Sequence, residues 1–439
     1  MDCYHFELPT TGAISFTEIC TDEKRKYTPF LSAATSARAS LRATLKESKR
    51  TDGEKDYLKL VKIIDDYLPH IYAVISTVAG SEIEFKNEPV FSWRTTLSSN
   101  LMNSSPRIPV VGLYAELAFT LLTYGFTLAN LARSTTLSLG DYEHDRHITD
   151  VERRAKDEKL NFAVDLLSRA SGVYLHVAEV VLPQALVHNT DASKRIPELN
   201  MDVVMALSHL ALADAQNLTI RKLMSKSAYD SLVAPGPPLP KSHPSPALIA
   251  KLYIFAASNY ASARSLAKTP SDGDVSSDLR KYLAHEATFA DALAHKWLGV
   301  DAGEHSKAGE AIAFLKWSKT ELEDLGGARK VSMGIGKNSE NKKPKKSRIT
   351  FETESVSSFL QNYKKMNDTM HFQPVPPTSE LQSSIPAGRT VVASKKFESP
   401  TPIFGPGSPS HTESAENETH SNDAALSPTS SYALAGSYF

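Results

Sequence analysis

"SPALIAKLYIFAASNY", Ser245 to Tyr260, carries a single charged side chain, Lys251. Pro246 stands where a first-turn proline suits a helix: its fixed φ is helical, and its missing N–H has no intrahelical partner there. Ser245 is the matching N-cap. Along the helix, Leu248, Leu252 and Phe255 form one apolar stripe. Ile249, Tyr253, Ala256 and Tyr260 form a second, about a third of a turn away. A helix on the outside of a globule needs one apolar face. Two stripes predict either a helix between two layers or a helix whose outer stripe floors an open groove, and both place it in a layered helical fold.

The flanking sequence agrees. "DYLKLVKIIDDYLPHIYAVISTV" spaces Leu58, Val61, Ile64, Leu68, Ile71 and Ile75 by three and four residues, an amphipathic helix pattern. "GLYAELAFTLLTYGFTLANLAR" is apolar and rich in small residues, as an interior helix is. "DEKLNFAVDLLSRASGVYLHVAEVVLP" and "MDVVMALSHLALADAQNLTIRKLM" are each long enough for five or more turns. "APGPPLPKSHPSP", residues 234–246, breaks the series. In "SDLRKYLAHEATFADALAHKWLGV" and "HSKAGEAIAFLKWSKTELEDL", Ala284, Ala290, Ala294, Gly309 and Ala313 predict close contact of two antiparallel helices. A turn at Leu298-Gly299 would make the pair resemble one tetratricopeptide-like unit. No strict period extends through the chain.

Beyond residue 329 the composition shifts. "KNSENKKPKKSRIT" has no apolar face and predicts a flexible basic loop over about 331–349. "FETESVSSFLQNYKKM" can form one more helix. "HFQPVPPTSELQSSIPAGRTVV" reads as an extended, proline-punctuated strap. From 403 to 439, Ser, Pro, Asn, Gly and Glu dominate, the signature of disorder. Ser-Pro pairs at Ser399, Ser408 and Ser427 leave their modification open.

With 439 residues, 41% hydrophobic and a net charge of -1, the chain can bury a large core. It has no global field to attract nucleic acid or membrane. Cys3 and Cys20 cannot staple a fold of this size, so a reducing compartment is expected. "MDCYHFELPTTGAISF" lacks the basic and apolar regions of a secretory signal, and no run of eighteen apolar residues occurs. A cytoplasmic protein is the expectation, with the Asn103, Asn217 and Asn417 triplets idle as glycan acceptors.

Catalytic motifs fail on inspection. His285-Glu286 lacks the second histidine of a zinc-protease helix, because position 289 is Phe. His144 and His147 have no third ligand nearby. "SMGIGKNS" fails the phosphate-loop spacing at Val331. No nucleophile elbow is present. The expectation is a non-enzyme without cofactor or metal; an enzyme would need a polar pocket around His285, Glu286 or Asp291. The cluster Lys342, Lys343, Lys345, Lys346 and Arg348 reads as a solvated loop, as a weak contact to an anionic membrane or as a nuclear-import signal. It lacks the interleaved aromatics of a nucleic-acid site.

Six segments occur in an order that resembles BRO-type domains of the Alix group: "FSWRTTLSS", "LYAELAFTLLTYGFTLANLA", "RASGVYLHV", "LALADAQNLTIRKLM", "PALIAKL" and "HSKAGEAIAFLKWS". "NDTMHFQPVPPTSELQSSIPAGRTVV" is similar to that domain's C-terminal end. The resemblance spans about residues 5–402. "LPTTGAISF", "SSNLMNSSPRI" and the short tail resemble the branch that serves fungal ambient-pH signalling.

The resemblance implies a mostly all-α, boomerang-shaped domain with a tetratricopeptide-like helical core. It also implies a few short N-terminal strands, a strap and a disordered tail. It implies an adaptor that binds the C-terminal amphipathic helix of an ESCRT-III filament subunit and helps assemble a proteolytic activation complex. A general endosomal sorting adaptor is the alternative. Recruitment to the plasma-membrane cortex or endosomes would follow. Carried over by motif, the partner-binding positions are Leu248, Leu252 and Thr219, with Asp157 at the rim. Relatives often place a large aromatic where Thr219 stands, so the apolar floor here is smaller.

Overall fold

Apolar residues at helical spacing fold as helices along most of the chain. The computed structural model describes residues 3–51, 53, 55–98, 107–187, 196–231, 236–268, 275–331 and 342–409. Its helices are α1 (Phe16–Ile19), α2 (Thr28–Arg50), α3 (Tyr57–Ala79), α4 (Leu113–Leu139), α5 (Asp150–His176) and α6 (Leu182–Val187). They continue as α7 (Met201–Asp230), α8 (Pro246–Leu266), α9 (Ser277–Glu304), α10 (Ala308–Val331), α11 (Lys342–Met366) and α12 (Thr378–Ser384). Strands β1 (Cys20–Thr21) and β2 (Glu84–Phe85) pair antiparallel, as do β3 (Val90–Arg94) and β4 (Arg107–Val111). The expected mostly helical class with a few short N-terminal strands is what the chain adopts.

The chain divides into two compact units. The larger comprises 1–12, 45–61 and 90–397. In it α4 packs on α5, α5 on α7, α7 on α8, α8 on α9, α9 on α10 and α10 on α11. This is the solenoid-like succession the sequence suggested. The β3–β4 hairpin seats Trp93 against Phe119, ring centres 5.4 Å apart, and the indole N–H donates to the buried Glu116 at 2.6 Å. The N-terminal segment is held by Asn130, which accepts from Phe6 N at 2.9 Å and donates to Phe6 O at 2.8 Å.

The smaller unit comprises 13–44, 62–89 and 398–439. Its part of the α3 stripe is buried at Ile64, Leu68 and Ile71. Leu58, predicted on the same stripe but belonging to the larger unit, is exposed. Phe404 is buried beside Tyr27 and Phe30. The C-terminal stretch is therefore docked through Ser408 rather than loose from 403; residues 410–439 lie outside the described residues.

Two further expectations change. Gly299 is inside α9, not at a turn; a Cβ there would lie 2.8 Å from Leu315 Cγ, so the glycine marks close packing of α10. The helix instead ends at His305, where Ser306 takes a positive φ. The basic segment is not a loop over its whole length, because Lys342–Met366 is helical; residues 332–341 lie outside the described residues. Arg348 is no solvated cation: it pairs with the buried Glu286 at 3.2 Å and stacks on Phe289, its guanidinium 3.8 Å from the ring centre.

Gly303 tests this packing. A Cβ there would run into the buried ring of Tyr363, whose hydroxyl donates to Glu304 at 3.1 Å. Gly303→Ala is expected to lower the unfolding free energy by about 1–3 kcal/mol, despite the roughly 1 kcal/mol helix-propensity advantage of Ala. Urea denaturation measures it, and an unchanged or raised midpoint would contradict the contact.

Candidate functional site

The candidate face is built on α5, α7 and α8, whose starts are fixed locally. A reciprocal capping box joins Thr149 and Glu152 at α5, and the Asn200 side chain accepts from Val203 N at 3.2 Å at α7. At α8, Ser245 is the N-cap residue and Pro246 opens the helix, though the serine side chain makes no capping bond. Its carbonyl takes the Leu248 and Ile249 N–H groups instead. The second stripe of α8 faces the core: Ile249, Tyr253, Ala256 and Tyr260 are all buried.

Residues 386–397 cross this layer as an extended strap. The Arg389 N–H donates to Lys251 O at 2.9 Å, and a Cβ on Gly388 would lie 2.8 Å from Phe255 N. Gln216, fully buried on α7, donates to Leu252 O at 3.3 Å and Arg389 O at 2.9 Å, and accepts from Val391 N at 3.2 Å. One amide side chain thus clamps α8 and the strap together. Farther on, Ser171 shares hydrogen bonds with Ser208 and Ser394, each at 2.7 Å. The Lys395 N–H donates to Ser168 O at 2.9 Å, Lys395 pairs with Asp165, and Phe397 packs on His176. A Cβ on Gly172 would collide with the Lys395 carbonyl, so the close passage of the strap needs glycine there.

Helical spacing puts further residues on the strap's side of the layer. Thr219 lies three residues beyond Gln216, and Leu223 four beyond Thr219. Leu248 stands seven before Phe255, and Asn161 seven before Ser168. Lys222 Nζ donates to Asn161 Oδ1 at 2.8 Å, bridging α7 and α5 at this level. Leu248 and Thr219 are half-buried and Leu223 is exposed. The Thr219 hydroxyl donates to Ala215 O at 3.0 Å.

The predicted positions therefore separate. Leu248 and Thr219 are each half-buried. Leu252 is 0% exposed, so it supports the floor from within instead of lining an open groove. Asp157 is not a rim group. It is buried, accepting from Tyr142 Oη at 2.5 Å, Arg153 at 2.6 Å and Ser225 at 2.9 Å, and it ties α5 to α7. Gln216, Ser171 and Gly172 escaped the sequence reading. Their signals were two adjacent amides, Gln216 and Asn217, inside an apolar helix and a glycine in a helix interior.

Beneath the face, Asp214 of α7 is buried and accepts from Tyr260 at 2.6 Å, Tyr282 at 2.9 Å and Tyr4 N at 3.2 Å. Burial pushes its carboxyl up to about 7 against the help of these donors. Asn217 donates to Tyr260 Oη at 2.9 Å and is buried. Glu286 is committed to Arg348 and to His285 Nδ1 at 3.1 Å, a structural pairing. Among the described residues no group of His, Cys, Asp and Glu gathers as a metal site.

Two outcomes follow from these groups. Gln216→Leu leaves Arg389 O and Val391 N without their partner, and is expected to cost about 1–3 kcal/mol and to speed proteolysis within 386–397. Unchanged cleavage would contradict the clamp. For Asp214, the unfolded chain releases its proton near pH 4 while the folded chain holds it to about pH 7. Stability therefore falls as pH rises between these values, by up to about 1.4 kcal/mol per pH unit from this group. Asp214→Asn should remove that slope from urea midpoints measured from pH 4 to 8; identical profiles would contradict it.

A family model described as a BRO1-like domain matches residues 21–425. The pH-response regulator protein palC of Cryptococcus neoformans var. neoformans serotype D (strain B-3501A) is 36% identical, covering 100% of both chains. The palC protein of Emericella nidulans is 27% identical, with 89% of this chain and 87% of that protein covered. Among solved structures, ALIX in complex with the SIVmac239 PYKEVTEDL late domain aligns with TM-score 0.66 and 16% identity over 97% of this chain, which spans 54% of the ALIX chain. The ALIX BRO1 CHMP4C complex aligns with TM-score 0.62 and 18% identity, covering 91% of this chain and 96% of that one. A structure described as the basis for endosomal targeting by the Bro1 domain gives 0.58 and 16%, over 90% and 93%. These last three share the fold. The chain belongs to the BRO1-like domain family and, within it, to the palC group of fungal proteins.

Proposed function

We propose that this chain is a non-enzymatic adaptor in ambient-pH signalling that takes the C-terminal amphipathic helix of an ESCRT-III filament subunit beside the strap. The observation that carries the reading is that half-buried Leu248 and Thr219 and exposed Leu223 fall, by helical spacing, on the strap's side of α7 and α8. Support comes from the ALIX BRO1 structure solved with CHMP4C and from the pH-response names of the palC relatives. Leu248 and Thr219 contact the partner, Leu252 backs them from beneath, and Asp157 keeps α5 and α7 in register.

Each apolar anchor buried by a partner helix contributes on the order of 1.5–3 kcal/mol. Two or three anchors, less the entropy of ordering the peptide, give micromolar affinity. A polymer of subunits raises avidity without new contacts. In this reading the adaptor acts in the cytoplasm, is recruited to the plasma-membrane cortex or endosomes, and helps assemble a protease-activating complex. Lys342, Lys343, Lys345 and Lys346 supply any weak contact to anionic membrane, without Arg348. A second reading, a general endosomal sorting adaptor, is favoured by the likeness to a Bro1 domain described in terms of endosomal targeting. Normal growth at alkaline pH after deletion, with defective cargo sorting, would select it.

Leu248→Asp is the informative variant, because Leu252→Asp would bury a charge and unfold the helix. Calorimetry with an ESCRT-III C-terminal helix peptide is expected to show at least about tenfold weaker binding, the loss of one anchor. Unchanged affinity in a folded variant would remove this face from the reading.

A further inference from the structure

Two Ser-Pro pairs within the described residues, Ser399-Pro400 and Ser408-Pro409, have the same motif and opposite surroundings; Ser427-Pro428 lies outside the described residues. We propose that Ser399 is the acceptor for a proline-directed protein kinase, and that Ser408 is protected by the fold.

Residues 396–402 carry neither helix nor strand, so no regular element has to melt before this stretch enters a kinase cleft. Pro400 biases Ser399 towards the extended conformation, since the ring disfavours helical backbone in the residue before it. The Ser399 side chain is exposed, and its hydroxyl donates to Tyr72 Oη at 3.1 Å, also at the surface. Ser408 differs in every respect. It is 0% exposed, and its N–H donates to Gly405 O at 3.0 Å. Nearby, the Ile403 N–H donates to Pro69 O at 3.4 Å, Phe404 is buried beside Tyr27 and Phe30, and a Cβ on Gly405 would collide with Thr77. Reaching Ser408 requires local opening of this docked stretch.

In the reaction, Ser399 Oγ attacks the γ-phosphorus of MgATP. An Oγ–P bond forms, the bond from that phosphorus to the β–γ bridging oxygen breaks, and ADP leaves. The hydroxyl proton passes to the kinase's catalytic carboxylate. The product carries about −1.5 to −2 charge next to Glu398. Its ester oxygen has no hydrogen to donate, so the bond to Tyr72 survives only with the phenol as donor.

The test incubates the full chain with a kinase of the mitogen-activated class and MgATP. Fragment-resolved mass spectrometry is needed, because no Lys or Arg follows Lys396 and one tryptic peptide holds all three serines. Phosphate is expected on Ser399, at least about tenfold faster than on Ser408, while a synthetic peptide of residues 396–412 is modified at both. Ser399→Ala removes the first label, and Pro400→Ala removes it with the acceptor hydroxyl still present. An unmodified Ser399 in the full chain, equal labelling of Ser399 and Ser408 there, or labelling that persists in Pro400→Ala overturns the assignment.

Discussion

Helix α7 is buried along most of its length yet carries Ser208, Asp214, Gln216 and Asn217 inside. Buried polar groups are costly unless paired, and these four are paired to different parts of the larger unit. Asp214 takes hydrogen bonds from the N-terminal segment, α8 and α9. Asn217 supports the α8 tyrosine in that set, and Ser208 joins α5 through Ser171. Gln216 reaches α8 and the strap at once. The polar row gives α7 one rotational setting, and that setting decides which residues face outwards beside the strap. Apolar packing alone would tolerate several settings at similar cost.

The grouping of residues in this layer was legible because burial follows helical period: Ile249, Tyr253 and Tyr260 share one stripe by spacing and are buried together. Spacing alone did not say which stripe faces inwards. The outer stripe was not legible, because Leu248 and Leu252 differ by only about 40° around the helix. That small rotation separates a half-buried residue from one with no exposure. The strap's extended character showed only in part, since Thr378–Ser384, inside the segment that reads as extended, is the helix α12. The strap's seat did not show, because most of its bonds are made by backbone groups, which every sequence has. Only Gln216, Gly172 and Gly388 hint at it.

Long-range pairing explains the other differences. Arg348 reads as part of a basic run until Glu286, far away in sequence, is brought against it. Asp157 reads as a surface acid until Tyr142, Arg153 and Ser225 close around it. Gly299 reads as a helix break, whereas α10 needs the missing Cβ for its approach. In each case local composition gave the common meaning of the residue, and a contact beyond its own helix or loop replaced it. The family resemblance, carried by six ordered segments, was more specific than any one of these positions.

In the proposed function, the strap side of α5, α7 and α8 docks the partner helix. Hydrogen exchange of the full chain, with and without an ESCRT-III C-terminal helix peptide, tests it most directly. Added protection is expected in residues 215–223, 245–255 and 386–392, with α3 unchanged. Binding that protects other segments and leaves these three unchanged would contradict it.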